Sequence, residues 1–171
     1  ASATANMLGE GSTHLTAQQI AEELDFYGSY FDVNIDRDYA YISFCSLKKF
    51  FEPTIAVARE IILHPAFLEH EFKIYCSKRK QSLTIERKKV DMQSRELFSE
   101  ALFGKEHPYG KSSDETLYDE LTTDDLLHTY RTLYTAENCF VACSGNIDEE
   151  VLSQISALVE ALPSGEKPSA T

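Results

Sequence analysis

The 171-residue chain lacks tryptophan, has no C-x-x-C cysteine pair, and contains no apolar run long enough to span a membrane. Each of its four cysteines lies in a segment with apolar periodicity, so we expect small buried hydrophobes and neither a disulfide framework nor a zinc knuckle. No secretory leader is recognisable. The chain starts without methionine, inside an apparent helix, and we therefore expect it to be a piece of a longer polypeptide. The cysteines are Cys45, Cys76, Cys139 and Cys143.

The chain has fewer basic than acidic residues. Sixteen Lys and Arg stand against 28 Asp and Glu, which gives a net charge of −12, and this argues against nucleic acid as the main partner. Acidic residues dominate after residue 110, with 12 against 3 basic ones. The only basic zone is residues 69–110, with 9 basic against 7 acidic residues, and we interpret it as a solvated helix face.

The longest helical pattern runs from Glu69 to Gly104 and contains no proline or glycine before its last residue. It predicts one helix of roughly 50 Å, with Pro65 before it and Gly104 and Pro108 at its end as start and stop signals. Apolar residues at seven-residue intervals predict a narrow seam along this helix. The seam residues are Cys76, Leu83, Val90 and Leu97, with Phe72 and Ala101 extending the row.

Shorter patterns predict a sheet and the remaining helices. Two alternating runs, residues 30–35 and 39–47, flank a polar turn and predict an antiparallel hairpin. The apolar run 139–143 predicts a third strand, buried in the sheet. We expect one α+β domain over residues 1–162, an antiparallel sheet covered by several helices including one very long helix, and a linker or loop at 163–171. Further helices are predicted over residues 17–27, 50–63, 122–134 and 147–162.

Several short motifs follow one another in an order typical of a known family. The most specific series is Leu121–Leu126, Tyr130, Tyr134, Asn138 and Gly145–Asp148; earlier pieces are Leu63–Phe67, Glu71-Phe72, Leu102–Gly104 and His107–Gly110. This series resembles the pitrilysin/insulinase-type family of zinc metallopeptidases, which includes mitochondrial processing peptidase and uses the zinc motif H-x-x-E-H. The resemblance implies a LuxS/processing-peptidase-like fold, truncated at its N-terminal side.

The chain departs from that family where the metal should bind. The resemblance places the zinc motif at residues 2–6, where Ser2 and Asn6 replace the histidines and Ala5 replaces the general-base glutamate. A catalytic zinc ion needs three protein ligands around an open position. We therefore assign no catalytic, cofactor-binding or metal-ligating residue. Glu86 lies near the family's third ligand, and we interpret it as a structural carboxylate within (i, i+3) reach of Lys89.

The resemblance implies a non-catalytic domain that encloses peptides together with a homologous catalytic domain or subunit, in which zinc is expected. The alternative is an active metalloendopeptidase domain whose zinc motif lies outside this sequence. A third hypothesis is an assembly or chaperone subunit that never contacts substrate. The expected partners are the catalytic domain and peptide substrate, with no nucleic acid. Because the family's first strands are absent, we also expect self-association through an unpaired sheet edge.

Several polar residues attract attention and have simpler interpretations. His64 and His70 flank a scrambled zinc motif, but Pro65 separates them, and six helical residues would turn the two rings to different faces. We expect His107 to serve a turn. His14, His128 and the dipeptide Ser144-Gly145 show no catalytic spacing. The carboxylates that open helices are expected to complement helix dipoles; they are Asp124, Asp125, Asp148, Glu149 and Glu150.

Overall fold

The computed structural model describes residues 1–111 and 115–165. The α+β class predicted from the sequence is confirmed by a two-stranded antiparallel sheet and a series of helices. Two compact units are present, Ala1–Leu68 with Thr123–Thr171, and Glu69–Thr122. The elements are α1 (Ser2–Asn6), α2 (Ala17–Tyr27), β1 (Tyr30–Ile35), β2 (Ala40–Cys45), α3 (Phe51–Leu63), α4 (Glu69–Glu86), α5 (Val90–Phe103), α6 (Leu117–Glu120), α7 (Thr123–Leu133) and α8 (Glu149–Glu160).

Local sequence signals set both ends of α2. The Thr16 side chain accepts a hydrogen bond from the Gln19 amide, and the Gln19 side chain accepts one from the Thr16 amide. This capping box satisfies two amides that have no partner inside the helix. Gly28 ends the helix in the left-handed conformation with φ 60°, which a residue without Cβ adopts at little cost.

The predicted hairpin is confirmed. β1 and β2 pair antiparallel with Phe31 opposite Phe44, and their ring centroids lie 5.1 Å apart. The turn is closed by Asp36, whose carboxylate accepts hydrogen bonds from the Tyr39 amide at 2.7 Å and the Tyr41 hydroxyl at 2.9 Å. Backbone hydrogen bonds, followed by the Tyr41 hydroxyl, lower the pKa of Asp36 below its ordinary value.

The core of the first unit forms around α1, α3 and α7. Tyr130 of α7 donates its hydroxyl proton to the Ile62 carbonyl at 2.6 Å, which ties α7 to the end of α3. Phe67 is buried at positive φ (46°) and packs edge-to-face on Tyr130 at 5.9 Å. The largest side chains with less than 2% exposure in this core are Met7, Leu8, Ile61 and Leu126.

Two polar side chains in this unit are buried with their hydrogen bonds made. Thr54 donates to the Phe50 carbonyl at 2.7 Å, so the Ser29 hydroxyl, 2.5 Å from Thr54, must donate to Thr54. This chain of hydrogen bonds joins the start of the hairpin to α3 without leaving an unpaired hydroxyl.

The start of α8 is capped by Asp148. Its carboxylate accepts a hydrogen bond from the Val151 amide at 3.1 Å and forms an ion pair with Lys48 at 2.5 Å.

The prediction of one helix from Glu69 to Gly104 is wrong, because the chain leaves helical geometry between α4 and α5. Lys89 is extended, with φ −84° and ψ 129°. In the turn before Lys89, the Lys88 and Lys89 amides donate hydrogen bonds to the carbonyls of Ile85 and Glu86, three residues earlier in each case. The Gln93 side chain donates to the Arg87 carbonyl at 2.8 Å. These polar contacts interrupt the helix without proline or glycine.

The seven-residue seam is buried only in its first half. Leu83 of α4 is 3% exposed, whereas Val90 and Leu97 of α5 are 76% and 67% exposed. In this second unit α4 contacts α6, where Lys80 forms an ion pair with Asp119. The interruption at Lys89 ends the row of buried seam residues, and α5 presents an apolar face.

The predicted strand at residues 139–143 is also wrong. Within the described part of the chain β1 and β2 alone form the sheet, and Phe140 and Val141 are 73% and 55% exposed. A strand requires a hydrogen-bonded neighbour, and no described segment supplies one here. Of the four cysteines only Cys76 is buried, so the expectation of buried thiols fails for the other three.

Two hydrogen bonds fix the first residues of the predicted linker. The Ala136 amide donates to the Pro163 carbonyl at 3.0 Å, and the Gly165 amide donates to the Glu137 carboxylate at 2.8 Å. The rest of that linker, residues 166–171, lies outside the described residues, and the predicted domain boundary stays a prediction. None of the described helices is both long and apolar enough to cross a membrane.

Removing the α2 cap tests the first unit's local stability. We expect Thr16→Ala to lower the free energy of unfolding by about 1 kcal/mol, because the Gln19 amide loses the hydroxyl that accepts its hydrogen bond. Thr16→Ser keeps the hydroxyl and is expected to retain most of the stability. Urea denaturation followed by far-ultraviolet circular dichroism measures both; equal stability of the two variants would contradict a role for the hydroxyl.

Candidate functional site

The helix at which the resemblance places the zinc motif, α1, is packed into the core. In α1, Thr4 and Ala5 are each 1% exposed, while Ser2 and Asn6 face solvent. None of these side chains offers an imidazole or carboxylate. The residues at the expected metal position therefore do not fit a zinc ion, and no catalytic step can be derived through one here.

Glu86, the residue nearest to the family's third ligand, is held in an ion pair. It ends α4, and its carboxylate lies 3.4 Å from the Arg79 guanidinium, two turns earlier on the same helix. The predicted partner of Glu86 was Lys89, but Lys89 lies outside the helix and has an extended backbone. Burial alone would lower the pKa of Arg79, but Tyr118 of α6 and Glu86 raise it above its ordinary value. Glu86 is thus paired with a cation of its own helix, and its role as a structural carboxylate stays a prediction.

A polar cluster that the sequence did not reveal lies in the first unit. The Glu60 carboxylate accepts a hydrogen bond from Ser12 at 3.0 Å and lies 3.0 Å from Nδ1 of His14. The His14 ring packs edge-to-face on His64, with centroids 5.5 Å apart. We call Ser12, His14, Glu60 and His64 the histidine–glutamate cluster.

Hydrogen bonding sets the charge of this cluster. Partial burial alone would raise the pKa of Glu60, but the hydrogen bonds from His14 and Ser12, with the nearby imidazoles, lower it below its ordinary value of 4.5. The carboxylate is therefore stabilised in its charged form.

The geometry is unlike that of a hydrolytic triad. A nucleophilic serine must give its proton to an imidazole that a carboxylate orients. Here Ser12 donates to the carboxylate itself, and it is 7% exposed. The neighbouring Thr13 hydroxyl lies 3.2 Å from Nδ1 of His14, the nitrogen that already faces Glu60. The cluster therefore lacks a nucleophile paired with a base.

Backbone contacts show what the cluster holds together. The Thr13 amide donates to the His64 carbonyl at 2.9 Å, and the Ala66 amide donates to the Gly11 carbonyl at 3.2 Å. Gly11 has φ 125°, a conformation that favours glycine. The cluster and these bonds fasten the loop after α1 to the loop after α3, and so fix the position of α1.

The other candidate residues have local structural partners. His70 lies 3.1 Å from the adjacent Glu71, and His107 accepts the Tyr109 amide at 3.1 Å while stacking on Phe103. The predicted turn role of His107 agrees with this geometry. His128, on α7, accepts a hydrogen bond at its backbone carbonyl from Thr132. The carboxylates predicted to open helices lie in the first turns or at the N-cap of α7 and α8.

No group of three or more His, Cys, Asp or Glu side chains has the geometry to hold a metal ion within residues 1–111 and 115–165. The sequence does not predict the histidine–glutamate cluster, because Ser12 and Glu60 are 48 residues apart. The only signal in the sequence is Glu60 itself, a carboxylate inside an apolar helix pattern. That signal does not indicate which residue donates a hydrogen bond to it.

The comparisons with known proteins agree with one another. A family model described as the peptidase M16 inactive domain matches residues 120–171. Two relatives named uncharacterized zinc protease, from Rickettsia bellii and Rickettsia felis, are 27% and 26% identical over 95% of this chain. A crystal structure of a peptidase M16 inactive domain from Pseudomonas fluorescens superposes with a TM-score of 0.91 at 23% identity, over 98% of this chain. The chain spans 40% of the length of each relative and 42% of that structure's chain.

Acid titration tests the histidine–glutamate cluster. A carboxyl group whose pKa is lowered by folding adds stability above its unfolded pKa, and this is lost as pH falls through the folded pKa. We therefore expect Glu60→Gln to be less stable than the parent at about pH 7 and to lose less stability between about pH 5 and pH 3. Urea denaturation across this range measures the effect.

Glu71→Gln is the matched control for this titration, because it also removes a carboxylate beside a histidine but leaves the cluster intact. It should keep the acid profile of the parent. An unchanged acid profile in Glu60→Gln would show that the cluster does not stabilise the fold.

Proposed function

We propose that the chain is an inactive-type domain of the pitrilysin-type family of zinc metallopeptidases and forms a non-catalytic wall of a peptide-enclosing chamber. A homologous catalytic domain, in the same polypeptide or a separate subunit, completes the chamber and carries the zinc ion. The observation that carries the proposal is α1, where Ser2, Ala5 and Asn6 stand at the positions at which the resemblance places the zinc motif.

Packing supports this role for α1. Ala5 is 1% exposed, and its neighbours Met7 and Leu8 are fully buried. A glutamate side chain at position 5 would take its charge out of water with no cation of this helix to pair with it. The helix is therefore adapted to hold the fold, and chemistry is left to the partner.

The alternative is an active metalloendopeptidase domain whose zinc motif lies outside this sequence. One observation favours it, namely that the relatives named as zinc proteases extend well beyond the matched segment. In that case Glu86 would be the first candidate in this chain for a zinc ligand, and the other ligands would lie outside this sequence. The ion pair of Glu86 with Arg79 argues for the structural role.

Metal analysis separates the two functions. After dialysis against a chelator and re-addition of zinc, we expect the isolated chain to bind far less than one zinc ion per molecule. We also expect it to leave a fluorescence-quenched peptide substrate uncleaved. In the complete protein, zinc content should be unchanged by Glu86→Gln and by the control Glu96→Gln on α5. Stoichiometric zinc that Glu86→Gln alone removes would overturn the proposal in favour of the alternative.

Partial restoration of the zinc motif tests whether α1 has become a packing element. We expect Ala5→Glu to destabilise the chain by about 3 kcal/mol or more, since the carboxylate would replace a buried methyl group. Ser2→Glu places the same group at an exposed position of the same helix and should change stability by less than about 0.5 kcal/mol. Similar melting temperatures for the two variants, measured by differential scanning calorimetry, would contradict the packing role.

A further inference from the structure

The first residues of the predicted linker are bonded to the turn that follows α7. This turn contains a short 3-10 helix, Ala136–Asn138. Its first amide donates to the Pro163 carbonyl at 3.0 Å. In the other direction, the Gly165 amide donates to the Glu137 carboxylate at 2.8 Å. Two hydrogen bonds therefore join the same two short segments, and we call residues 163–165 the strap.

The strap lies directly against Thr135, the residue before the 3-10 helix. Thr135 is 1% exposed. A Cβ atom added at Gly165 would lie 2.6 Å from the Thr135 Cγ2 methyl and 3.2 Å from the Thr135 Cβ. The first of these distances is far below van der Waals contact. A side chain at position 165 would therefore push the strap away from Thr135.

The strap covers a hydroxyl group that is buried without compensation. Thr135 stands at the N-cap position of the 3-10 helix, where a threonine side chain commonly accepts an amide hydrogen bond, but it makes no such bond. Within residues 1–111 and 115–165, its buried hydroxyl has no hydrogen-bond partner. A hydroxyl that gives up its bond to water and gains no other bond destabilises the state in which it is buried.

The contributions for and against the strap are of similar size. The bond to Glu137 is charge-assisted and stronger than a bond between neutral groups, and the bond to Pro163 is neutral. The unpartnered hydroxyl opposes them by about as much as one hydrogen bond contributes. Pro163 and Ser164 are exposed, so their side chains add little apolar burial. Segments with such a balance open locally while the rest of the fold stays intact.

We propose that the strap is a conformational switch with a closed and an open state. In the closed state it covers Thr135 and is bonded to Ala136 and Glu137. In the open state both bonds are broken, water reaches the Thr135 hydroxyl, and the first residues of the predicted linker are released from the turn after α7. All of these contacts lie within one compact unit, and the inference does not depend on the proposed chamber.

Amide hydrogen exchange of the 171-residue chain, followed by nuclear magnetic resonance, measures the opening. In the parent we expect the Ala136 amide to exchange faster than the amides of α3, because the strap opens without global unfolding. Glu137→Gln should speed this exchange by about fivefold, since a neutral acceptor replaces the carboxylate. Glu150→Gln removes an exposed carboxylate from the first turn of α8 and should leave the rate unchanged.

Removing the buried hydroxyl should have the opposite effect. Thr135→Val keeps the shape of the side chain and replaces the hydroxyl with a methyl group, so we expect the Ala136 amide to exchange about fivefold more slowly. Thr132→Val makes the same change on α7 at an exposed threonine whose hydroxyl donates to the His128 carbonyl. This control should not slow the exchange.

A double substitution tests the close contact between the strap and Thr135. Gly165→Ala should speed exchange of the Ala136 amide by roughly tenfold or more, because the new Cβ prevents closure. Thr135→Ser removes the methyl group that lies nearest to this Cβ, so Gly165→Ala should have a several-fold smaller effect when Thr135→Ser is also present. Ser164→Ala, on the exposed side of the strap, should have no effect.

The Val151 amide reports whether each variant remains folded, because it bonds to Asp148 in the same unit; its exchange should not change. Exchange of the Ala136 amide only through global unfolding of the parent would overturn the proposal. Unchanged exchange in Glu137→Gln, faster exchange in Thr135→Val, or equal effects of Gly165→Ala with and without Thr135→Ser would also contradict it. Zinc content enters none of these measurements, so the proposed function is tested separately.

Discussion

The burial of α1 is the constraint on which the rest of the first unit depends. In α1 Thr4 and Ala5 are each 1% exposed, and directly after it Met7 and Leu8 have no exposed surface. Burying side chains as large as Met7 and Leu8 contributes about 1.5–3 kcal/mol each. The helix contacts α7 and β1, so its position sets that of both. Because α1 has only five residues, too few to be stable alone, its geometry comes from these contacts and from the loop fastened by the histidine–glutamate cluster.

This constraint explains how the fold can form although residues 2–6 carry no zinc motif. A zinc-binding helix must keep charged and polar donors near a metal, at a cost that the metal repays. With Thr4 and Ala5 at residues 4 and 5, each 1% exposed, the same helix is packed into the core. The family resemblance alone therefore predicts the fold but not the activity.

The sequence predicted the elements whose signals are local. The helix over residues 17–27 and the hairpin around residue 36 depend on patterns within a few residues, and the structure has both. The break at Lys89 was missed because side-chain contacts cause it without proline or glycine. The position of Glu60 beside His14 depends on how two distant loops meet, which periodicity cannot reveal.

The failed strand prediction at residues 139–143 has a different physical meaning. Its apolar composition suits a buried strand, yet Phe140 remains largely exposed. Sequence and environment therefore disagree at this segment, and such disagreement tends to mark a functional surface. An apolar segment exposed to water loses the free energy that its burial would supply.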